Sequence, residues 1–202
     1  MSLKIGISGV RGIVGESLTD EIIFKFATAY SQFIGNGKVV LGMDGRTSGN
    51  HIKDILVSTL CSKNIQVIDI KIAPTPSTQL AVKYHKADGG IVITASHNPI
   101  EWNGLKFIRK DGIFLNEENA NKLISIYNSK STQNQKSTEI SKRIITTDKY
   151  CLDRHIESIL KNIDKEKIKS KKFTVAVDCC NGAGSEITLK LLRKLGCEII
   201  AI

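Results

Sequence analysis

Proline is scarce. Pro74, Pro76 and Pro99 are the only three in a chain of 202 residues, so no proline-rich linker exists and each proline marks a particular bend. Long apolar runs are missing too: none reaches the roughly 18 residues that suggest a membrane span. The start, MSLKIGISGV, has no secretory apolar region followed by a cleavage site. The five cysteines (Cys61, Cys151, Cys179, Cys180 and Cys197) form no CxxC pair and no metal spacing with the four histidines. Neighbours such as Cys179 and Cys180 make strained disulfides. All five therefore read as free thiols of a reducing, cytoplasmic compartment. Four catalytic or nucleotide-binding signatures are also absent: the G-x-S-x-G elbow, G-x-G-x-x-G, the Walker A loop and any D-x-D-x-D cluster.

What the chain has is positive charge and alternating structure. Of the net charge of +9, residues 129–172 carry twelve Lys or Arg against six Asp or Glu, a surplus of +6. Tyr150 is the one aromatic residue among them. A basic stretch without stacking residues reads as a solvated face, so no nucleic-acid partner is expected.

Strands are expected near residues 3–7, at 38–43 and at 65–72, a tight glycine-punctuated turn at 6–12, and helices after Thr19 and over 48–62. Thr19 is a suitable N-cap, with Asp20 and Glu21 in the first turn and Gly35 as the stop. Thr75 is expected to cap a third helix with Pro76 at its first position. Asn116 is expected to cap a fourth, whose stripe is Ala120, Leu123, Ile124 and Tyr127. Lys110, Asp111 and Gly112 suggest a hairpin turn. Residues 129–141 read as a polar connector. The helix that follows Thr147 carries Leu152, Ile156, Ile159, Leu160 and Ile163. Residues 173–202 then repeat the plan of 38–70: strand, terminal Asp, glycine-containing loop, helix, strand.

The most informative stretch is residues 89–106, GGIVITASHNPIEWNGLK. Ile91, Val92 and Ile93 form a buried strand that runs into a loop holding Ser96, His97 and Asn98, with Pro99 blocking regular structure. Asn103 and Gly104 suggest a second turn that brings Lys106 back towards Ser96. Such a loop can simply satisfy backbone groups. If Ser96 is chemically active, its sequence neighbour His97 is poorly placed to be a triad base, and carrying a transferred group fits better than acyl transfer. Loops at Asp44, Pro74 and Ser96 should border one crevice, because ligands of α/β sheets bind outside the carboxyl ends of strands.

TASHNP at 94–99 followed by NGLK at 103–106 resembles the phosphoserine loop of the α-D-phosphohexomutases. GISGVRG at 6–12 and VDCCNGAGS at 177–185 are similar to that family's amino-terminal motif and to the opening of its second domain. The resemblance implies an α/β fold whose mixed, mainly parallel sheet is sandwiched by helices. It also implies a first domain at residues 1–145 and, at 146–202, a linker helix with the incomplete start of a second. It further implies phosphoryl transfer between the 1- and 6-positions of a hexose phosphate, through a phosphoserine at Ser96 and a bisphosphate. Lys106 and His97 would assist, Ser8, Arg11 and Asn98 would bind substrate, and Asp44 and Arg46 would brace the loops. Mg2+ would contact the Ser96 phosphate, and the family's metal carboxylates would lie beyond residue 202. The alternative is a non-catalytic sugar-phosphate-binding module.

Overall fold

A computed structural model describes residues 2–7, 9–129 and 145–202. Ser8 and, apart from Ser129, the expected connector lie outside the described residues. In chain order the elements are β1 (Lys4–Gly6), β2 (Gly9–Ile13), α1 (Asp20–Ile34), β3 (Lys38–Met43), α2 (Gly49–Ser62), β4 (Gln66–Ile72), α3 (Thr75–Tyr84) and β5 (Gly89–Ile93). They continue with β6 (Trp102–Arg109), α4 (Glu117–Asn128), β7 (Ile145–Thr147), α5 (Cys151–Leu160), α6 (Lys165–Ser170), β8 (Thr174–Val177), α7 (Ser185–Lys194) and β9 (Glu198–Ala201).

A mixed sheet of seven strands is ordered β1-β2-β6-β5-β3-β4-β7. Strands β5, β3, β4 and β7 run parallel, and β6, β2 and β1 extend the sheet antiparallel. Side chains alternate between two cores. Val39, Leu41, Ile91 and Ile93 face Phe26, Tyr30, Leu56 and Leu123 of α1, α2 and α4. Val40, Val92 and Ile108 face Val82, Leu152 and Ile156 of α3 and α5. Burial on both faces explains the unbroken β-branched runs of β3 and β5. Each such side chain contributes about 1.5–3 kcal/mol when removed from water.

The expected caps hold at two helices. Thr19 Oγ1 accepts from Ile22 N at 3.4 Å, and Asn116 Oδ1 accepts from Asn119 N at 3.0 Å. Gly35 ends α1 at φ +73°, donating to the Ser31 carbonyl. The repeated plan near the chain end is present as β8, α7 and β9, with the two strands parallel. Ile187 of α7 packs with Leu152 and Ile156, and Lys194 pairs with Glu157 at 2.6 Å.

Several local expectations are corrected. Gly9–Ile13 is a strand, not part of a tight turn, and it pairs with both β1 and β6. Asn103 and Gly104 lie inside β6. Asn103 is fully buried, its amide donating to Ser48 Oγ at 2.9 Å while its oxygen accepts from Gly104 N at 2.8 Å. A turn would put that amide in water. The chain reverses earlier, where Trp102 N donates to the Pro99 carbonyl at 3.1 Å. Pro74, not Thr75, caps α3, so Pro76 is the second helical residue rather than the first. The strand expected after the Asp111 turn is reduced to a single bridge between Ile108 and Phe114. The helix after Thr147 stops at Leu160, and Ile163 falls between it and α6.

Candidate active site at the Ser96 loop

Strands β3 and β5 are parallel neighbours, so the loops leaving their ends are side by side. Asp44 N donates to the Ile93 carbonyl at 3.0 Å, and Thr94 N to the Gly104 carbonyl at 3.0 Å. The second bond is where the sheet stops and the loop begins. Ser96 then adopts φ +57°, a left-handed conformation that costs a non-glycine residue about 1–2 kcal/mol. Its N–H is held by Thr94 Oγ1 at 3.1 Å. The bend leaves Ser96 and His97 exposed just beyond a fully buried strand.

The bend is held from below by Arg46. Its guanidinium donates to four main-chain carbonyls of the loop: Ser96 at 2.9 Å, Asn98 at 2.6 Å, Pro99 at 2.5 Å and Trp102 at 3.0 Å. Asp44 orients it, accepting from Arg46 Nε at 3.2 Å and from Arg46 N at 3.0 Å. The Arg46 side chain is only 10% exposed, so these charge-assisted bonds are shielded from water. A planar fork suits a set of converging carbonyls better than an ammonium would. From β2, Arg11 Nη1 donates to Asn98 Oδ1 at 3.1 Å.

Ser96 and Thr94 border two clefts. One, of about 320 Å³, is lined by Lys4, Arg11, Lys106 and His97, with no carboxylate of the described residues among its lining. The other, of about 470 Å³, lies between Asp44, Arg46, Asn98 and Ile100 on one side and Cys180, Asn181, Gly182 and Ala183 on the other. Ser96, His97, Arg11 and Lys106 therefore come together at one cleft, and Asn98 faces the other. The Pro74 loop lines neither cleft, contrary to expectation, and the 180–183 loop takes that place.

Sequence reasoning missed Lys4, Asn103 and the 180–183 loop as parts of this site. None of the three stands out locally: Lys4 is one cation in the short first strand, and only strand register brings it beside Arg11.

The family model for phosphoglucomutase/phosphomannomutase alpha/beta/alpha domain I matches residues 2–134, and that for domain II matches residues 153–202. The chain belongs to the phosphoglucomutase/phosphomannomutase family. Among its curated relatives, a phosphoglucosamine/phosphogalactosamine mutase of Sulfurisphaera tokodaii is 36% identical over all of this chain and 44% of its own length. A phosphoglucomutase/phosphomannomutase of Thermococcus kodakarensis is 39% identical over all of this chain and 45% of its own. The chain thus spans less than half the length of these relatives. A solved structure from Thermus thermophilus, provisionally described as a phosphomannomutase, superposes with a TM-score of 0.86 at 26% identity, over 100% of this chain and 45% of that one. The expected α/β architecture and the second-domain opening are those of this family. No helix among the described residues is long and apolar enough to cross a membrane.

Proposed function

We propose that this chain is the Ser96-bearing part of a phosphohexomutase, in which the Ser96 hydroxyl accepts and returns the phosphoryl group. One observation carries the reading: an exposed serine is fixed at a left-handed bend, its carbonyl held by Arg46, on the rim of a cleft whose charged side chains are Lys4, Arg11 and Lys106. A phosphoserine bears close to two negative charges at neutral pH. Phosphoryl transfer depends mainly on positioning and charge neutralisation.

In the step proposed, the Ser96 oxygen attacks one phosphorus of a hexose 1,6-bisphosphate. The bond from that phosphorus to the sugar oxygen breaks, the serine proton passes to that oxygen, and a hexose monophosphate leaves. The reverse step, from phosphoserine to the other hydroxyl, interconverts the 1- and 6-phosphates. Lys106 neutralises charge or relays the proton, and His97 contacts phosphate. Arg11 faces the substrate, and the family resemblance assigns Ser8 to substrate binding as well. Asn98 is tied on both sides, to Arg11 and Arg46, and keeps the loop in shape.

Magnesium is expected by resemblance, at a phosphate oxygen on Ser96. The residues here do not complete such a site. Among the described residues no cluster of three His, Cys, Asp or Glu exists, and Asp44, on the second cleft, is engaged by Arg46. No step is derived through the metal. The five thiols, all free, suit a cytoplasmic setting.

The test is a coupled assay on protein expressed from the complete reading frame. Glucose, mannose and glucosamine 1-phosphates are offered in turn, with and without Ser96→Ala. At least one should be converted to its 6-phosphate by the unaltered protein, and conversion should fall to background in the variant. Conversion of none would leave the binding-module reading.

A further inference from the structure

Lys4 and Arg11 are directly opposite one another in the β1–β2 pair. Opposed residues of an antiparallel pair share a face of the sheet. Arg11 in turn pairs with Gly104 of β6, so Lys106, two residues on from Gly104, lies on that same face. Three neighbouring strands thus each direct one cation to one side, and all three line the cleft beside Ser96.

Like charges placed opposite each other across a strand pair are destabilising. Elsewhere among the described residues cations are commonly matched with carboxylates, as in Lys25 with Glu21, Lys53 and Lys71 with Asp69, and Arg109 with Asp111. Lys4, Arg11 and Lys106 have no such partner among the described residues. Instead, the Lys4 ammonium lies 5.4 Å from the ring centroid of Trp102, and that of Lys106 lies 5.3 Å from that of Phe114. A cation–π contact orients an ammonium without neutralising it. The arrangement is preorganised and short of an anion.

We propose that Lys4 is a further phosphate-anchoring residue, which uses its position opposite Arg11 to bind the phosphate group of the substrate or of phosphoserine in the cleft. The inference rests on the phosphoryl-transfer reading in one respect, that the anion is phosphate. It adds a residue from β1 that the Ser96 loop and the Arg11 motif do not contain. An anion between Lys4 and Arg11 relieves their repulsion, so phosphate binding and the packing of β1 against β2 are coupled. Trp102 is the single tryptophan, so its emission reports on the ammonium above it.

The experiment titrates the protein with inorganic phosphate at constant ionic strength. Trp102 emission and calorimetry are followed for the unaltered chain and for Lys4→Gln, Lys4→Arg and Arg11→Gln. Lys4→Gln should raise the dissociation constant about fivefold, the change expected for one lost charge contact in a solvent-facing cleft. Lys4→Arg should retain tight binding. The phosphate-induced rise in melting temperature should shrink in Lys4→Gln, whereas a residue that merely packs on Trp102 would leave that rise unchanged. If Lys4→Gln binds phosphate like the unaltered chain while Arg11→Gln does not, the Lys4 proposal falls and the phosphate cleft stands. If neither substitution changes phosphate binding, both fall.

Discussion

The guanidinium of Arg46 donates to the main-chain carbonyl of Ser96 at 2.9 Å, across a sequence separation of 50 residues. The same group also reaches Asn98, Pro99 and Trp102, so one side chain from the end of β3 sets the shape of the loop beyond β5. These main-chain contacts leave the Ser96 hydroxyl without a hydrogen bond among the described residues. That combination suits a serine that must be rigid in position and free in chemistry.

Replacing Arg46 should therefore damage the loop more than its single ion pair suggests. Arg46→Ala is expected to cost on the order of 2–3 kcal/mol, the range for losing charge-assisted bonds while leaving carbonyls unpaired. Arg46→Lys should recover less than half of that, because one ammonium does not fork across four carbonyls. Urea unfolding checks the stability. Limited proteolysis near Ser96 should cut faster in both variants.

Asn103 should behave as a buried connector. Its amide ties β6 to Ser48, the residue just before α2, and hence to the loop that carries Arg46. Asn103→Leu leaves the Gly104 N–H and the Ser48 hydroxyl without their partners and is expected to destabilise by about 1–3 kcal/mol. Asn103→Asp should also be costly, since it places an unpaired carboxylate where the side chain is fully buried. Thermal unfolding of the two variants measures both effects.

Gly9 is the tightest point of the amino-terminal hairpin. It adopts φ +116°, and a Cβ there would collide with the main-chain oxygen of Leu105. Gly9→Ala should push β2 away from β6, costing about 1–3 kcal/mol as overpacking does. It should also displace Arg11 from Asn98. Slower hydrogen exchange at β2 and β6 in the variant than in the unaltered chain would contradict this.

Acid should weaken the α3–α5 contact. His155 sits 2.8 Å from Ser77 Oγ through Nδ1, and burial holds its pKa below the usual 6.5. Above 6.5 the ring is neutral in both folded and unfolded chains, and its contribution to stability is fully present. As pH falls below that value the unfolded chain takes up the proton first, and stability is lost until the folded-state pKa is passed. Between about pH 7.5 and about pH 5.5, the urea midpoint should fall further for the unaltered chain than for His155→Gln. Equal falls would remove His155 as the cause.

Much of this was legible along the chain because burial on two faces leaves a plain mark. The run Val39, Val40, Leu41 reads as a strand whatever surrounds it, and Thr19 and Asn116 cap helices through local bonds. The misreadings share a cause: tertiary partners outweighed local preference. Asn103-Gly104 has the form of a turn, but Ser48 and the Gly104 N–H satisfy the amide inside the sheet, and the missing Cβ at Gly104 admits the backbone of Val10 and Arg11. The glycines of GISGVRG mask the alternation of β2. The exposed loop of the candidate site was legible because its residues, Ser96, His97 and Asn98, are contiguous. Lys4 was not, because only strand register places it opposite Arg11.

The most direct test of the central claim is the site of phosphorylation. Protein from the complete reading frame, incubated with glucose 1,6-bisphosphate, should gain a single phosphoryl group that peptide mass spectrometry maps to Ser96 and that disappears on addition of glucose 1-phosphate. A stable phosphoryl group on any other residue, or catalytic turnover that persists in Ser96→Ala, would contradict it.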